Sequence, residues 1–126
     1  MGKRYLIDSN VIIDFCNGKL NLECKNLLLN IKPEISIITQ IELFASKNIS
    51  KQEYALLQKF VSICNIHSVN VDLVNSTIEI RQNYKTKLPD AIIASTALCK
   101  NLILISGNTS DFKNIQGLHF INPNEL

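Results

Sequence analysis

Residues 5–14 read YLIDSNVIID: a short apolar run, an aspartate at its end, then Ser-Asn and a second apolar stretch. An acid placed where a buried strand stops can cap a helix, hold a metal or attack a phosphate. Which of these applies depends on the rest of the chain. If strands alternate with helices in a parallel sheet, the strand ends open onto one shared ligand-binding rim.

The same kind of run recurs along the sequence. RYLI (4–7), EISII (34–38), IHSV (66–69), LILIS (102–106) and HFI (119–121) are each too short for a helix. All are rich in Ile, Val or aromatic residues, which predicts strands. Between them lie segments with helical spacing: LECKNLLLNI (22–31), QIELFAS from 40, QEYALLQKFVSI (52–63), DLVNSTIEIRQNYKT (72–86) and PDAIIASTALCK (89–100). The last opens on a proline at a favourable first helical position. Strands alternating with helices imply right-handed crossovers and a mainly parallel sheet with helices on both faces. The strand runs show no clean period-two alternation, as expected when both faces are covered. The predicted class is α/β, with residues 1–126 forming a single domain.

Composition agrees with this class and excludes others. A hydrophobic fraction of 46% and a charged fraction of 19% are those of a globular protein. At 126 residues, such a chain buries roughly two-thirds of its unfolded surface without staples. Four cysteines are spread out with no C-x-x-C pair, and there are only two histidines, His67 and His119. A structural zinc site is therefore not expected, and the thiols read as small apolar residues in a reducing compartment. No stretch approaches about 18 uninterrupted apolar residues, so no membrane span is expected. Asp8 and Asp14 interrupt what would be the apolar region of a signal peptide. These features predict a cytoplasmic protein. The formal net charge of +2 decides nothing about partners.

Four acidic or amide positions fall at predicted strand–helix turns or helix starts: Asp8, Glu42, Asp90 and Asn108, with Asp111 close behind. Each has an ordinary explanation. Asp8 and Asn108 can be helix caps, Thr39-Gln-Ile-Glu42 spells a capping box, and Asp90 suits the dipole of a first helical turn. In a parallel sheet, however, these same explanations place Asp8, Glu42 and Asn108 on one rim. Asp90 joins them only if its helix points its first turn into the crevice. Two unit charges about 5 Å apart repel by roughly 3 kcal/mol at an effective dielectric near 20. Such a cluster therefore asks for a cation. Hard oxygen ligands without Cys or His favour Mg²⁺ or Mn²⁺, which points to phosphoryl-transfer chemistry.

These residues resemble the PIN-domain ribonucleases, and among them the VapC-like toxins of toxin–antitoxin pairs. YLIDSNVIIDF, SIITQIELF, KLPDAIIASTAL and LILISGNTSDF are similar to the family's four motifs and together extend over essentially the whole chain. The resemblance implies a three-layer α/β/α fold with about five strands, and metal ligands at Asp8, Glu42 and Asp90. Asn108 would be the fourth site residue, where many members carry an aspartate. Asp111, three residues on, is the alternative, although it would equally cap the short segment that follows. The resemblance further implies a Mg²⁺- or Mn²⁺-dependent endoribonuclease that cuts tRNA or another structured RNA with a metal-activated water. It also implies an antitoxin partner and a homodimer.

Substrate contacts are sought among the cations. Arg81 and Lys85 are four apart on the predicted 72–86 helix, with Tyr84 alongside and Lys87 just beyond, a pattern that can hold phosphates and stack a base. The plain alternative is a solvated helix end. Lys47 and Lys51 read as loop lysines, Asp14 as surface charge, and His67 and His119 as structural or surface residues. Two rival functions compete with this one. A phosphatase using a covalent aspartyl-phosphate needs a second acid two positions after the first, where this chain has Asn10. A PIN scaffold without catalysis, serving as an RNA- or protein-binding module, draws its support from Asn108.

Overall fold

The computed structural model describes residues 2–125. Its order is β1 (Tyr5–Ile7), α1 (Ser9–Cys16), α2 (Leu22–Leu29), β2 (Glu34–Ser36), α3 (Ile37–Phe44), α4 (Lys51–Ser62), β3 (Asn65–His67), α5 (Val71–Asn83), α6 (Leu88–Lys100), β4 (Ile103–Ile105), α7 (Thr109–Phe112) and β5 (Phe120–Ile121). A short 3₁₀ turn, Pro123–Glu125, follows.

The five strands form one parallel sheet in the order β3-β2-β1-β4-β5. From β1 the chain works outward through β2 to β3, then returns to the other side of β1 to place β4 and β5. The order therefore reverses between β1 and β4. Helices flanking such a reversal diverge, and the crevice they leave at the strands' carboxyl ends is the usual ligand site of an open parallel sheet.

Alternation within the short strands divides the core into two layers. Ile7, Ile35 and Ile105 face one side, packed with Val11, Ile12, Cys24, Leu28, Leu43, Leu57 and Phe60 from α1 to α4. Leu6 and Leu104 face the other, packed with Ile80, Ala91, Ile93, Ala94, Ala97 and Phe112 from α5 to α7. The result is the expected three-layer α/β/α arrangement. Each large aliphatic side chain taken from water contributes about 1.5–3 kcal/mol, so the adjacent pairs Leu6-Ile7 and Leu104-Ile105 stitch both helical layers to the sheet.

Several element boundaries differ from the sequence reading, each for a local reason. The run 34–38 is not all strand: Ser36 caps α3 through its own hydroxyl, accepting from Ile38 N at 3.1 Å, so Ile37 and Ile38 are helical. Thr39 consequently lies buried inside α3 and opens no capping box with Glu42. The helix expected over 72–86 stops at Asn83, because Tyr84 is extended. Residues 9–16 form a helix directly after Asp8, whose carboxylate caps it by accepting from Ser9 N. Asn101 ends α6 in the left-handed conformation (φ 56°), which asparagine tolerates better than most residues.

At the amino ends of the strands, buried Glu34 ties β1, β2 and β3 together. It accepts from Arg4 (2.9 and 2.6 Å) and Asn65 (3.0 Å), and pairs with His67 Nε2 at 2.8 Å. Burial by itself would push this carboxyl up, but the hydrogen bonds from Arg4, His67 and Asn65 hold it below its ordinary value. His67 is thus structural, as expected, while His119 is exposed.

Candidate active site

Asp8 ends β1 and is 3% exposed. Both of its carboxylate oxygens are held: Oδ1 accepts from Ser9 N at 2.8 Å and Oδ2 from the Ser106 hydroxyl at 2.7 Å. Burial pushes its pKa up, the two donors oppose that, and the charge of Asp111 adds to the rise. Ser106 is itself fully buried at the end of β4 and accepts from Asn108 N at 3.1 Å. One hydroxyl therefore connects the β1 acid to the turn that leads into α7.

Glu42 comes from the last turns of α3. That helix leaves β2 without an intervening loop and lends Leu43 to one core layer and Ile38 to the other. This position brings Glu42 Oε1 within 3.5 Å of the Ser9 hydroxyl. Desolvation, then the charges of Asp8 and Asp90, push its pKa up.

Asp90 sits in the first turn of α6, two residues after the helix begins. Although α6 follows another helix, it runs antiparallel to α5 in the second layer and turns its start toward the crevice. Burial raises the Asp90 pKa first, followed by the charges of Asp111 and Asp8; Lys87 opposes them, and a hydrogen bond with Asp111 adds to the rise. The carboxyl is pushed up to about 6.

The structure thus brings Asp8, Glu42 and Asp90 together, and adds Asp111. This residue lies inside α7, where its backbone N–H bonds to Asn108 O, and it does not cap the segment that follows. Asn108 also reaches the rim, accepting from Asn10 Nδ2 at 3.4 Å, but it gives α7 no side-chain cap. Sequence reasoning left open whether Asn108 or Asp111 supplies the fourth group; the electrostatic coupling to Asp8 and Asp90 runs through Asp111. Ser106 was missed altogether. Its only signal was a hydroxyl residue closing the LILIS run beside a strand that ends in an acid.

The donor set consists of hard oxygens that repel one another, and it also contains a buried Asn10 Oδ1 with no hydrogen-bond partner. Among the described residues no three acidic, histidine or cysteine side chains have closed into a coordination shell. By chemistry the donors present, all hard oxygens, suit a hard divalent cation.

The expected substrate stripe is only partly formed. Arg81 is exposed in the last turn of α5, but Lys85 lies beyond the helix end, so the two share no helical face. The Tyr84 hydroxyl accepts from Gln116 N at 3.1 Å and its ring packs on the second core layer, so it does not present a free stacking face. Lys87, the residue before α6, is the cation whose charge reaches Asp90. Lys47, Lys51 and Asp14 remain outside the site. Cys24 is buried, as expected for a small apolar residue, whereas Cys99 is exposed.

Comparison with known proteins places this geometry in a family. The PIN domain matches residues 5–118, and the chain belongs to the PIN domain family. It is 36% identical to a chain of a toxin–antitoxin complex from Klebsiella pneumoniae, with a TM-score of 0.78, covering 94% of this chain and 97% of that one. A chain of VapBC2 from Rickettsia felis, bound to a DNA fragment from its promoter, is 26% identical at a TM-score of 0.78, with the same coverage. DNA-bound VapBC from Salmonella typhimurium shares the fold at 21% identity and a TM-score of 0.81, covering 97% and 99% of the two chains. Comparison with curated protein sequences returns no match. The resemblance to VapC-like PIN toxins and the α/β/α fold it implied are thereby borne out.

Proposed function

We propose that this chain is a divalent-metal-dependent endoribonuclease, the toxin of a type II toxin–antitoxin pair. The observation that carries the reading is the convergence of Asp8, Glu42, Asp90 and Asp111 at the β1/β4 reversal, where the carboxyls of Asp8, Glu42 and Asp90 are pushed above their ordinary values. Burial raises these carboxyls first and the neighbouring charges add to the rise, so a cation would stabilise the group. The toxin assignment draws on the neighbouring structures, which are toxin–antitoxin complexes.

Asp8, Glu42, Asp90 and Asp111 would hold Mg²⁺ or Mn²⁺, with Asn108 and Asn10 at its margin. When bound, such an ion lowers the pKa of a water and offsets charge developing on the phosphate. The chain's own residues prepare that arrangement. Ser106 and the Ser9 N–H lock the Asp8 carboxylate, and the Ser9 hydroxyl steadies Glu42. Burial, then the charges of Asp111 and Asp8, push the Asp90 carboxyl up, and a cation held beside it would favour its charged form. Lys87 and Arg81 are placed to meet RNA phosphates, with Lys85 on the loop between them. The products would carry a 5′-phosphate and a 3′-hydroxyl. An antitoxin that occupies the crevice and a homodimer complete the proposal, as does a cytoplasmic location; no helix among the described residues is long and apolar enough to cross a membrane.

The scaffold reading, in which catalysis has been lost, leaned on the neutral amide of Asn108. Asp111 beside Asp90 weighs against it, because the fourth charge is supplied from three residues further on.

The deciding experiment incubates purified, partner-free protein with total cellular RNA, in Mg²⁺ or in EDTA, and maps new 5′-phosphate ends. Discrete metal-dependent ends that are absent with Asp90→Asn or Asp8→Asn support the proposal. Cleavage at the wild-type rate by either folded variant would refute the site, and no new ends from folded wild type would return the scaffold reading.

A further inference from the structure

The near-neutral balance of 13 cations against 11 acids conceals an uneven distribution: the grooves at the amino edge of the sheet gather cations around a single acid. The carboxyl edge carries the acids of the crevice. The amino edge carries cations next to three of the five strand starts: Lys3 and Arg4 before β1, Lys32 before β2, and Lys100 at the end of α6 before β4. Two open grooves follow this edge. One, of about 510 Å³, is lined by Lys3, Arg4, Lys32 and Asn65 among others. The other, of about 710 Å³, is lined by Lys3, Arg4, Lys100, Asn101 and His119. They share Lys3 and Arg4, so they form one continuous surface.

Glu34 is the acid among the lining residues, and it is buried and already engaged by Arg4, Asn65 and His67. The ion pairs among the described residues all involve Glu34, which leaves Lys3, Lys32 and Lys100 unneutralised. A helix dipole accounts for Lys100 in the last turn of α6, but Lys3 and Lys32 belong to no helix.

We propose that this amino edge is a second RNA-binding surface that grips the phosphodiester backbone of a folded RNA whose scissile segment lies in the carboxyl-edge crevice. The two edges lie on opposite sides of the sheet, and a path over the surface between them runs the length of a flanking helix, about 20 Å for the 13-residue α5 or α6. A folded RNA is large enough to touch both, whereas a strand of a few nucleotides lodged in the crevice does not extend to the opposite edge. Backbone contacts of this kind are independent of sequence and strongly dependent on salt. The surface therefore selects for RNA size and fold. This inference rests on the nuclease reading given above.

The test measures binding of bulk transfer RNA to the Asp90→Asn protein across a salt series, with and without Lys3→Ala, Lys32→Ala and Lys100→Ala combined. Arg4 is kept because it holds Glu34. Losing three phosphate contacts should lower the slope of log affinity against log salt by about 2 to 3. It should also weaken binding on the order of 10²-fold near 0.1 M salt. A control with Lys25, Lys51 and Lys59 replaced by Ala, on α2 and α4, removes the same net charge and should lose far less. Binding of a few-nucleotide single-stranded RNA should be the same in all three proteins. If the triple variant does not fold, each single replacement should still lower the slope by about one unit. Equal losses in the two triple variants, or an unchanged slope, would overturn the amino-edge surface while leaving the nuclease reading intact. Failure of the Asp90→Asn protein with its lysines in place to bind transfer RNA would also overturn the amino-edge surface, while the cleavage assay above decides the nuclease reading separately.

Discussion

The Ser106 hydroxyl donates to Asp8 Oδ2 at 2.7 Å while accepting the Asn108 N–H at 3.1 Å, and both Ser106 and Asp8 are buried. This single group orients the β1 acid and anchors the turn that carries Asn108 toward Asp111. Deleting it strips a buried carboxylate of a donor, which costs about 1–3 kcal/mol. Partners of this kind typically change metal affinity or activity by about 10–100-fold. Ser106→Ala should therefore lower Mn²⁺ affinity, measured by calorimetry, and cleavage in parallel. Ser106→Thr, which keeps the hydroxyl, should restore metal affinity even if the extra methyl lowers the melting temperature. Full metal affinity in folded Ser106→Ala would show that Asp8 needs no such anchor.

Asp111 and Asn108 can be separated by substitution. Asp111 lies close enough to Asp90 and Asp8 to raise both. Asp111→Asn should bring the Asp90 pKa down toward its ordinary value, read by NMR titration of the metal-free protein. It should also weaken Mn²⁺ binding by about tenfold or more, since one carboxylate contact is lost. Asn108→Asp should leave metal binding unchanged or tighten it. If Asp111→Asn bound the ion as well as wild type and Asn108→Ala did not, the amide would be the fourth ligand.

Metal binding should be visible as stability. A ligand at about 100 times its dissociation constant stabilises the folded state by about 2.7 kcal/mol, or roughly 8–13 °C in melting temperature for a chain of this size. Mn²⁺ or Mg²⁺ should therefore raise the melting temperature of wild type, and EDTA should reverse the rise. The Asp8→Asn/Asp90→Asn double variant should not respond. An equal rise in that variant would place the ion elsewhere.

The pH dependence of the metal-free protein follows from Asp90. Its folded-state pKa of about 6 lies above the unfolded value, so the folded chain binds more protons in between. Stability from this group is present at low pH and is lost as pH rises from about 4 to about 6. Asp90 is partly exposed, so solvent screening cuts the effect to about 1 kcal/mol. Glu34 works the other way: its depressed pKa contributes stability above the ordinary carboxyl range that is lost as pH falls below it. In urea titrations, Asp90→Asn should gain on wild type as pH rises through 4–6. A constant difference between the two proteins would remove the raised Asp90 pKa.

What the residues alone determined is the layering. Apolar runs at 4–7, 34–38, 66–69, 102–106 and 119–121, separated by helical spacing, admit little besides a parallel sheet covered on both faces. That layering in turn sends Asp8 and Glu42 to the carboxyl edge. Short-range chemistry misled wherever two patterns overlapped. The Ile-Ile of 37–38 reads as strand, yet Ser36 starts a helix there, and Lys85 reads as helical until Tyr84 turns extended. The site's final composition was decided by contacts between residues about 100 positions apart, such as Ser106 with Asp8, and by the orientation of α6 that turns Asp90 inward. Strand order brings β1 beside β4, and no local pattern encodes which strands become neighbours. For the same reason the sequence could name Asp111 as a candidate, but only the tertiary structure placed its charge against Asp90.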